Sequence, residues 1–208
     1  MPIVSESLAD QVYNLLKNDI LKGKMKGGDK ISEDNLATEL GVSRTPIREA
    51  LKRLSEYGLI SLAPRSHASV VTVTEKEAED IASLRVTLES FAIDNIKVEN
   101  LNNNLETISR YAADCQYALN VGDRAKAFEL DSLFHVSLID LAENKALSDT
   151  YRVLDAKVQL LRIKQDLPED KLSYYLMQHT TLIQLIKNGK KQDAKVLIAE
   201  HITHHNYS

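Results

Sequence analysis

At 208 residues, 43% hydrophobic and 27% charged, the chain has the composition of a water-soluble globular protein with room for two domains. No apolar run approaches the roughly 20 residues of a membrane span, the N-terminus lacks the basic and apolar regions of a secretory signal, and a single cysteine, Cys115, excludes an internal disulfide, so a cytoplasmic protein is expected. The formal net charge of −4 argues against a uniformly basic nucleic-acid binder, yet residues 1–73 carry ten Lys and Arg against nine Asp and Glu, and residues 74–208 carry sixteen against twenty-one.

The first helix is expected over 6–22, capped by Ser5 or Ser7, with an apolar stripe of Leu8, Val12, Leu15, Leu16 and Ile20 and a stop at Gly23. Residues 24–30 read as a Gly-rich turn, and Ile31 leads into Ser32, a cap for a second helix over 33–40. Gly41 suits the left-handed residue that ends a helix. Ser43 then caps a third helix over 44–57, whose Ile47, Ala50, Leu51 and Leu54 form one apolar face and which Gly58 stops. Its start carries Arg44, Thr45 and Arg48 beside backbone amides that favour phosphate. A recognition helix needs such an arrangement, with N-terminal side chains on bases and hydroxyls and amides on the DNA backbone. Residues 59–62 and 69–73 read as two short strands joined by a turn with a basic tip at Arg65. Residues 44–65 hold five basic side chains against Glu49 and Glu56, so positive charge gathers at the third helix and its sequel. Three helices plus a hairpin make a winged helix-turn-helix.

The run Gly41-Val42-Ser43-Arg44-Thr45-Pro46-Ile47-Arg48-Glu49-Ala50-Leu51, with Gly28-Asp29-Lys30-Ile31-Ser32-Glu33 ahead of it and Gly58-Leu59-Ile60 after it, resembles the DNA-binding domain of the GntR superfamily of bacterial transcription regulators over residues 6–73. That resemblance implies DNA contacts by Ser43, Arg44, Thr45 and Arg48, with Arg65 on the wing. Two positions depart from it. Asp34 stands where some relatives carry a DNA-contacting arginine, and His67 where the wing often carries glycine.

Thr74-Glu75-Lys76-Glu77 is a capping box and marks the boundary between a DNA-binding domain, 1–73, and an all-α domain, 74–208. Six helices are expected there, over 75–97, 101–121, 123–142, 145–166, 168–188 and 190–206, with Asp123 as one cap and Pro168 in a first turn. Ile81, Leu84, Leu88 and Phe91, Leu133, Val136 and Ile139, and Leu182, Leu185 and Ile186 are the expected core stripes. The fold class is thus mainly α, a winged helix-turn-helix followed by a six-helix bundle.

Asp131 and His135 are four residues apart and project from one helical face. Such a pair alone is more often a surface contact. Met177-Gln178-His179 and Glu200-His201-Ile202 add two histidines on later helices, each near apolar residues, and histidine is the commonest transition-metal ligand. His204 and His205, close to the C-terminus, are left out of the set. The pattern resembles the FCD domain, the C-terminal domain of FadR-type regulators, and six helices rather than seven match its shorter, VanR-like branch. The resemblance implies a divalent metal held by Asp131, His135, His179 and His201. Three histidines and an aspartate suit zinc, nickel or another borderline ion. It also implies a small organic acid effector, with Arg85 facing it. The alternative for Arg85 is an ion pair with Glu89, four residues on.

The expected function is a regulator, read as a repressor. It would act as a homodimer on an inverted-repeat operator, under control of a carboxylate bound at the metal. A regulator for which the ion itself is the signal is the second reading. A metalloenzyme fused to a DNA-binding module is the third, but no general base or nucleophile motif accompanies the four candidates, so an enzyme is not expected.

Overall fold

The computed structural model describes residues 6–63, 67–164 and 167–203. The chain divides into two compact units, Met1–Val73 and Thr74–Ser208.

The first unit contains α1 (Leu8–Leu21), β1 (Lys30–Ile31), α2 (Glu33–Leu40), α3 (Arg44–Tyr57), β2 (Ile60–Leu62) and β3 (Ala68–Val70). Ser7 and Asp10 close a capping box at the start of α1. Val12, Leu16 and Ile20 of α1 meet Ile47, Ala50, Leu51 and Leu54 of α3 in the core. α2 buries no residue completely; Leu36, Ala37 and Leu40 are half-buried. Gly41 takes the left-handed conformation at φ 66° between α2 and α3, a shape open to glycine at no steric cost.

The sheet is three-stranded in the order β1-β3-β2, all antiparallel, with Ile31 opposite Ala68 and Ile60 opposite Val70. The sequence predicts only the hairpin, with Lys30 in a turn and Ile31 as a lead-in. They form a strand because the preceding Gly27-Gly28 turn is anchored on the end of β3. Gly28 N–H donates to Val70 O at 2.9 Å and Val70 N–H to Asp29 O at 3.0 Å. A Cβ on Gly27 would lie 3.0 Å from the Thr72 methyl and 3.2 Å from Val71 O, so only glycine lets the two backbones approach this closely.

The second unit contains α4 (Glu75–Asn95), α5 (Val98–Asn120), α6 (Arg124–Asp140), α7 (Lys145–Lys164), α8 (Glu169–Lys187) and α9 (Lys191–Thr203). Thr74 caps α4 through a closed capping box with Glu77, and Asp123 caps α6. Pro168 is the N-cap of α8 rather than part of its first turn. α5 packs on α6 and α8, while α4 packs on α9, α7 and α6. Ile93, Leu101, Ile108, Phe134, Leu138 and Ile183 lie in the apolar core between them.

The face that α4 buries is not the one its apolar residues suggest. Leu84 is 44% and Phe91 48% exposed, while Arg85 is 2% and Glu89 0% exposed. Leu133 of α6 also reaches solvent. These corrections share one cause: the bundle interior holds an ion-pair network, and helices turn their charged residues inward to complete it. Among the described residues, no helix is long and apolar enough to cross a membrane.

Candidate metal centre and DNA-binding face

Asp131 and His135 project from one turn of α6, His179 from α8 and His201 from α9, all four buried. One ligand atom from each lies within 4.8 Å of all the others. His135 Nε2 is 3.1 Å from His201 Nε2. His179 Nε2 is 3.1 Å, and His135 Nε2 3.6 Å, from Asp131 Oδ1. Zinc–nitrogen bonds of about 2.0–2.1 Å at ligand angles of about 90–110° place donor atoms roughly 2.9–3.4 Å apart; the two 3.1 Å pairs meet that spacing, and the wider ones close to it if the side chains draw in around an ion.

The outer edge of each imidazole fixes what its inner edge presents. His135 Nδ1 lies 2.9 Å from Glu89 Oε2 and His201 Nδ1 3.1 Å from Gln178 Oε1. Both oxygens only accept, so each Nδ1 carries the proton and each Nε2 turns a lone pair inward. His179 stacks on Phe134 with ring centroids 4.0 Å apart, and its Nδ1 sits 3.8 Å from Cys115 Sγ. His179 Nε2 is buried and lies 3.1 Å from Asp131 Oδ1, but not in hydrogen-bonding geometry. Two facing lone pairs 3.1 Å apart repel each other, and a cation between them turns the repulsion into two bonds. The donor set, with a His179 nitrogen that makes no hydrogen bond, therefore fits a divalent ion.

Around the four ligands lies a shell of charged and polar side chains that no motif in the sequence marks. Arg162 Nη2 pairs with Asp131 Oδ2. Arg85 Nε donates to Glu89 Oε1 at 2.8 Å, and the Tyr151 hydroxyl donates to the same oxygen at 2.5 Å. α7 turns a file of polar side chains inward. Ser148 donates to Asp140 at 2.6 Å, Tyr151 to Glu89, and Gln159 to Asp155 at 2.7 Å and Ser132 at 3.1 Å, while Ser132 donates to Asp155 and Arg162 pairs with Asp131. The spacing of 148, 151, 155, 159 and 162, one helical face at intervals of three or four, is the only trace of this in the sequence. Arg85 takes the ion pair with Glu89 that the sequence left open as its alternative, and so joins the centre through Glu89 and His135.

Charges in this interior hold one another in place. Burial pushes the Glu89 carboxyl up, but positive charge on the metal-free, protonated His135 ring, the Arg85 guanidinium and the hydrogen bonds from His135 and Tyr151 outweigh it and bring it down to about 2. Burial likewise opposes the Asp131 carboxylate, and Arg162 and His135 hold it well below the usual range. Burial lowers the His179 imidazole against the pull of Asp131.

In the first unit, Ser43, Arg44, Thr45 and Arg48 are all exposed at the start of α3. Ser43 occupies the N-cap position, but its side chain makes no cap hydrogen bond. Arg44 Nε lies 2.7 Å from Asp34 Oδ1, and Arg48 Nε 2.7 Å from Glu33 Oε2, both acids being in the first turn of α2. Arg53, counted with the basic cluster, instead ties α3 to α1 through Asp10 at 2.6 Å. Arg65 lies outside the described residues.

Residues 8–70 match the bacterial regulatory proteins of the gntR family, and residues 80–204 match the FCD domain. The chain is 28% identical over 195 residues to the HTH-type transcriptional regulator YdhC of Bacillus subtilis (strain 168), covering 93% of this chain and 87% of that protein. It is 27% identical over 182 residues to the gluconate operon transcriptional repressor of the same organism, covering 83% and 72%. The solved structure of McbR/YncC from Escherichia coli shares the fold, with a TM-score of 0.75 at 24% identity over 95% of this chain and 94% of that one. The chain belongs to the GntR family of bacterial regulators, in the group that carries an FCD domain, and is a DNA-binding transcriptional regulator.

Proposed function

We propose that the helical unit is a sensor in which Asp131, His135, His179 and His201 hold a divalent transition metal, zinc or nickel, and a small organic acid binds beside it to control operator affinity. The observation that carries this reading is the convergence of three imidazole Nε2 atoms and one carboxylate, with Glu89 and Gln178 fixing two of the rings from behind. Bound there, the ion supplies a Lewis-acidic face for a carboxylate. Arg85, at the position the family resemblance gives to the effector, is aligned by Glu89 and brings positive charge to that side. Four residues, 71–74, join β3 to α4, so a shift of α4 has little slack in which to dissipate. The gluconate operon relative is a repressor by name, and this chain is read the same way.

An acid that binds only one of two arrangements shifts the balance between them; one that binds both equally shifts nothing. Effector and operator are expected to oppose each other with a coupling of about 1–3 kcal/mol. The test measures a panel of organic acids by thermal shift and operator affinity, in zinc-loaded and chelated protein, for wild type and Arg85→Ala. Acids that shift only the zinc-loaded wild type support the reading, whereas an operator response to zinc alone, with no acid effective, makes the ion the signal.

Arg44 and Arg48 are proposed to carry the sequence reading, with Ser43, Thr45 and Arg65 on the DNA backbone. One short recognition helix reads few base pairs, so the protein is taken to act as a homodimer on an inverted repeat. The exposed Leu84 and Phe91 of α4 offer apolar surface for that pairing. Light scattering at micromolar concentration is expected to give the dimer mass. Arg44→Ala and Arg48→Ala are each expected to weaken operator binding by about 1–3 kcal/mol and relax base preference. Unchanged affinity in both sinks the recognition-helix assignment.

A further inference from the structure

We infer that Asp34 and Glu33 are positioning residues for operator recognition: they hold Arg44 and Arg48 so that each presents only the outer fork of its guanidinium to DNA. The inference rests on the reading of Arg44 and Arg48 as the residues that meet bases.

In both pairs the arginine's Nε is the nitrogen nearest the carboxylate, at 2.7 Å: Arg48 Nε donates a hydrogen bond to Glu33 Oε2, and Arg44 Nε forms an ion pair with Asp34 Oδ1. A guanidinium offers two kinds of paired donors, the side edge with Nε and the end fork of two terminal nitrogens. With Nε engaged, the end fork remains for the O6 and N7 acceptors of guanine, which is the commonest specific contact in the major groove. The two acids are consecutive residues in the first turn of α2, and the two arginines lie one turn apart on α3, so both pairs link the start of α2 to the start of α3.

The plain alternative is that the acids serve α2 alone, since negative charge is favoured at a helix N-terminus. That role does not require either carboxylate to reach across to α3, yet both do. Nor is stability a sufficient account, because exposed ion pairs contribute little to it. What the pairs change is the DNA-facing surface. A free arginine swings to whichever phosphate is nearest and binds any sequence. A carboxylate beside it repels every phosphate alike and leaves only the bidentate base contact to compensate. Asp34 thus gives a function to the position where some relatives carry arginine: it trades general DNA affinity for selectivity.

The test uses the full-length protein and two duplexes, one selected by the wild-type protein from a randomised pool and one scrambled duplex of the same composition. Binding is followed by fluorescence anisotropy from low to physiological salt in wild type, Glu33→Gln, Asp34→Asn and the double variant, with far-UV circular dichroism checking the fold. At physiological salt each lost carboxylate is expected to raise affinity for the scrambled duplex about fivefold, the worth of roughly one added phosphate contact, and to steepen the salt slope by about one unit. Affinity for the selected duplex is expected to change less, so the selectivity ratio of the double variant falls about tenfold. A ratio that stays the same or rises overturns the inference. That outcome is distinct from failure of the recognition-helix reading, which would show as unchanged operator affinity in Arg44→Ala and Arg48→Ala.

Discussion

Zinc added to metal-stripped protein is expected to raise the unfolding midpoint of residues 74–208 by roughly 10–20 °C. An ion that binds only the folded state stabilises it by about 4 kcal/mol when its free concentration is a thousand times the dissociation constant, and a domain of this size gains a few degrees for each kcal/mol. The ligand atoms are already gathered within 4.8 Å, and the ring tautomers of His135 and His201 are set by Glu89 and Gln178, so little ordering is left for the ion to impose. His179→Ala is expected to abolish the shift, since it removes one of the four converging ligand atoms. It also removes the stack on Phe134, so His179→Gln, closer in volume, separates loss of the ligand from loss of packing. Calorimetry with and without chelator gives the answer. Equal zinc shifts in wild type and both variants would place the ion elsewhere.

Glu89→Ala is expected to be the most damaging single change within the bundle, at about 3–5 kcal/mol, because removing one member of a buried ion pair leaves the other uncompensated. Arg85 would be left without its carboxylate and Tyr151 without its acceptor, both fully inside the protein. The same residue sets an acid limit on the fold. Its carboxyl sits at about 2 against an ordinary 4.5, so its contribution is complete above about pH 4.5 and drains away as the pH falls towards 2. Over that window the loss is on the order of 3 kcal/mol. Asp131 is displaced in the same direction and adds to it. Urea unfolding of chelated protein between pH 7 and pH 3 is expected to show this acid limb in wild type and a shallower one in Glu89→Gln. If Glu89→Ala costs less than 1 kcal/mol at pH 7, the network is not holding the bundle together.

The first unit was largely legible because its signals are local. Ile47, Ala50, Leu51 and Leu54 are spaced as a buried face and are buried, and Gly41 and Gly58 sit at positive φ where helices end. What was missed there, the strand at Lys30 and Ile31, depends on backbone pairing with Ala68 and Ser69, residues far along the chain. In the bundle the six helices were visible but the inward face of α4 was not. Periodicity weighs apolar residues and so chose Leu84 and Phe91; a buried Arg85–Glu89 pair reads as a solvated surface until its partners on other helices are known. The four candidate ligands could be named because an Asp-His pair four apart and two histidines near apolar residues match the pattern of the FCD domain that the sequence resembles. Glu89, Gln178 and Arg162, which orient or neutralise them, are ordinary surface residue types, identified only by the distances that join them to His135, His201 and Asp131.

The inward polar file of α7 has a consequence for alignment. Leucine against leucine tolerates a slip of one turn, about 5.4 Å, with modest loss. Ser148, Tyr151 and Arg162 meet the carboxylates of Asp140, Glu89 and Asp131, and Asp155 and Gln159 share Ser132, all on α6 or α4, and a one-turn slip breaks these directional pairs. Like a single polar residue that fixes the register of a coiled coil, the file leaves α7 one axial position. An α7 made apolar at Ser148, Tyr151, Asp155 and Gln159 loses the ruler that sets the depth of Arg162 beside Asp131.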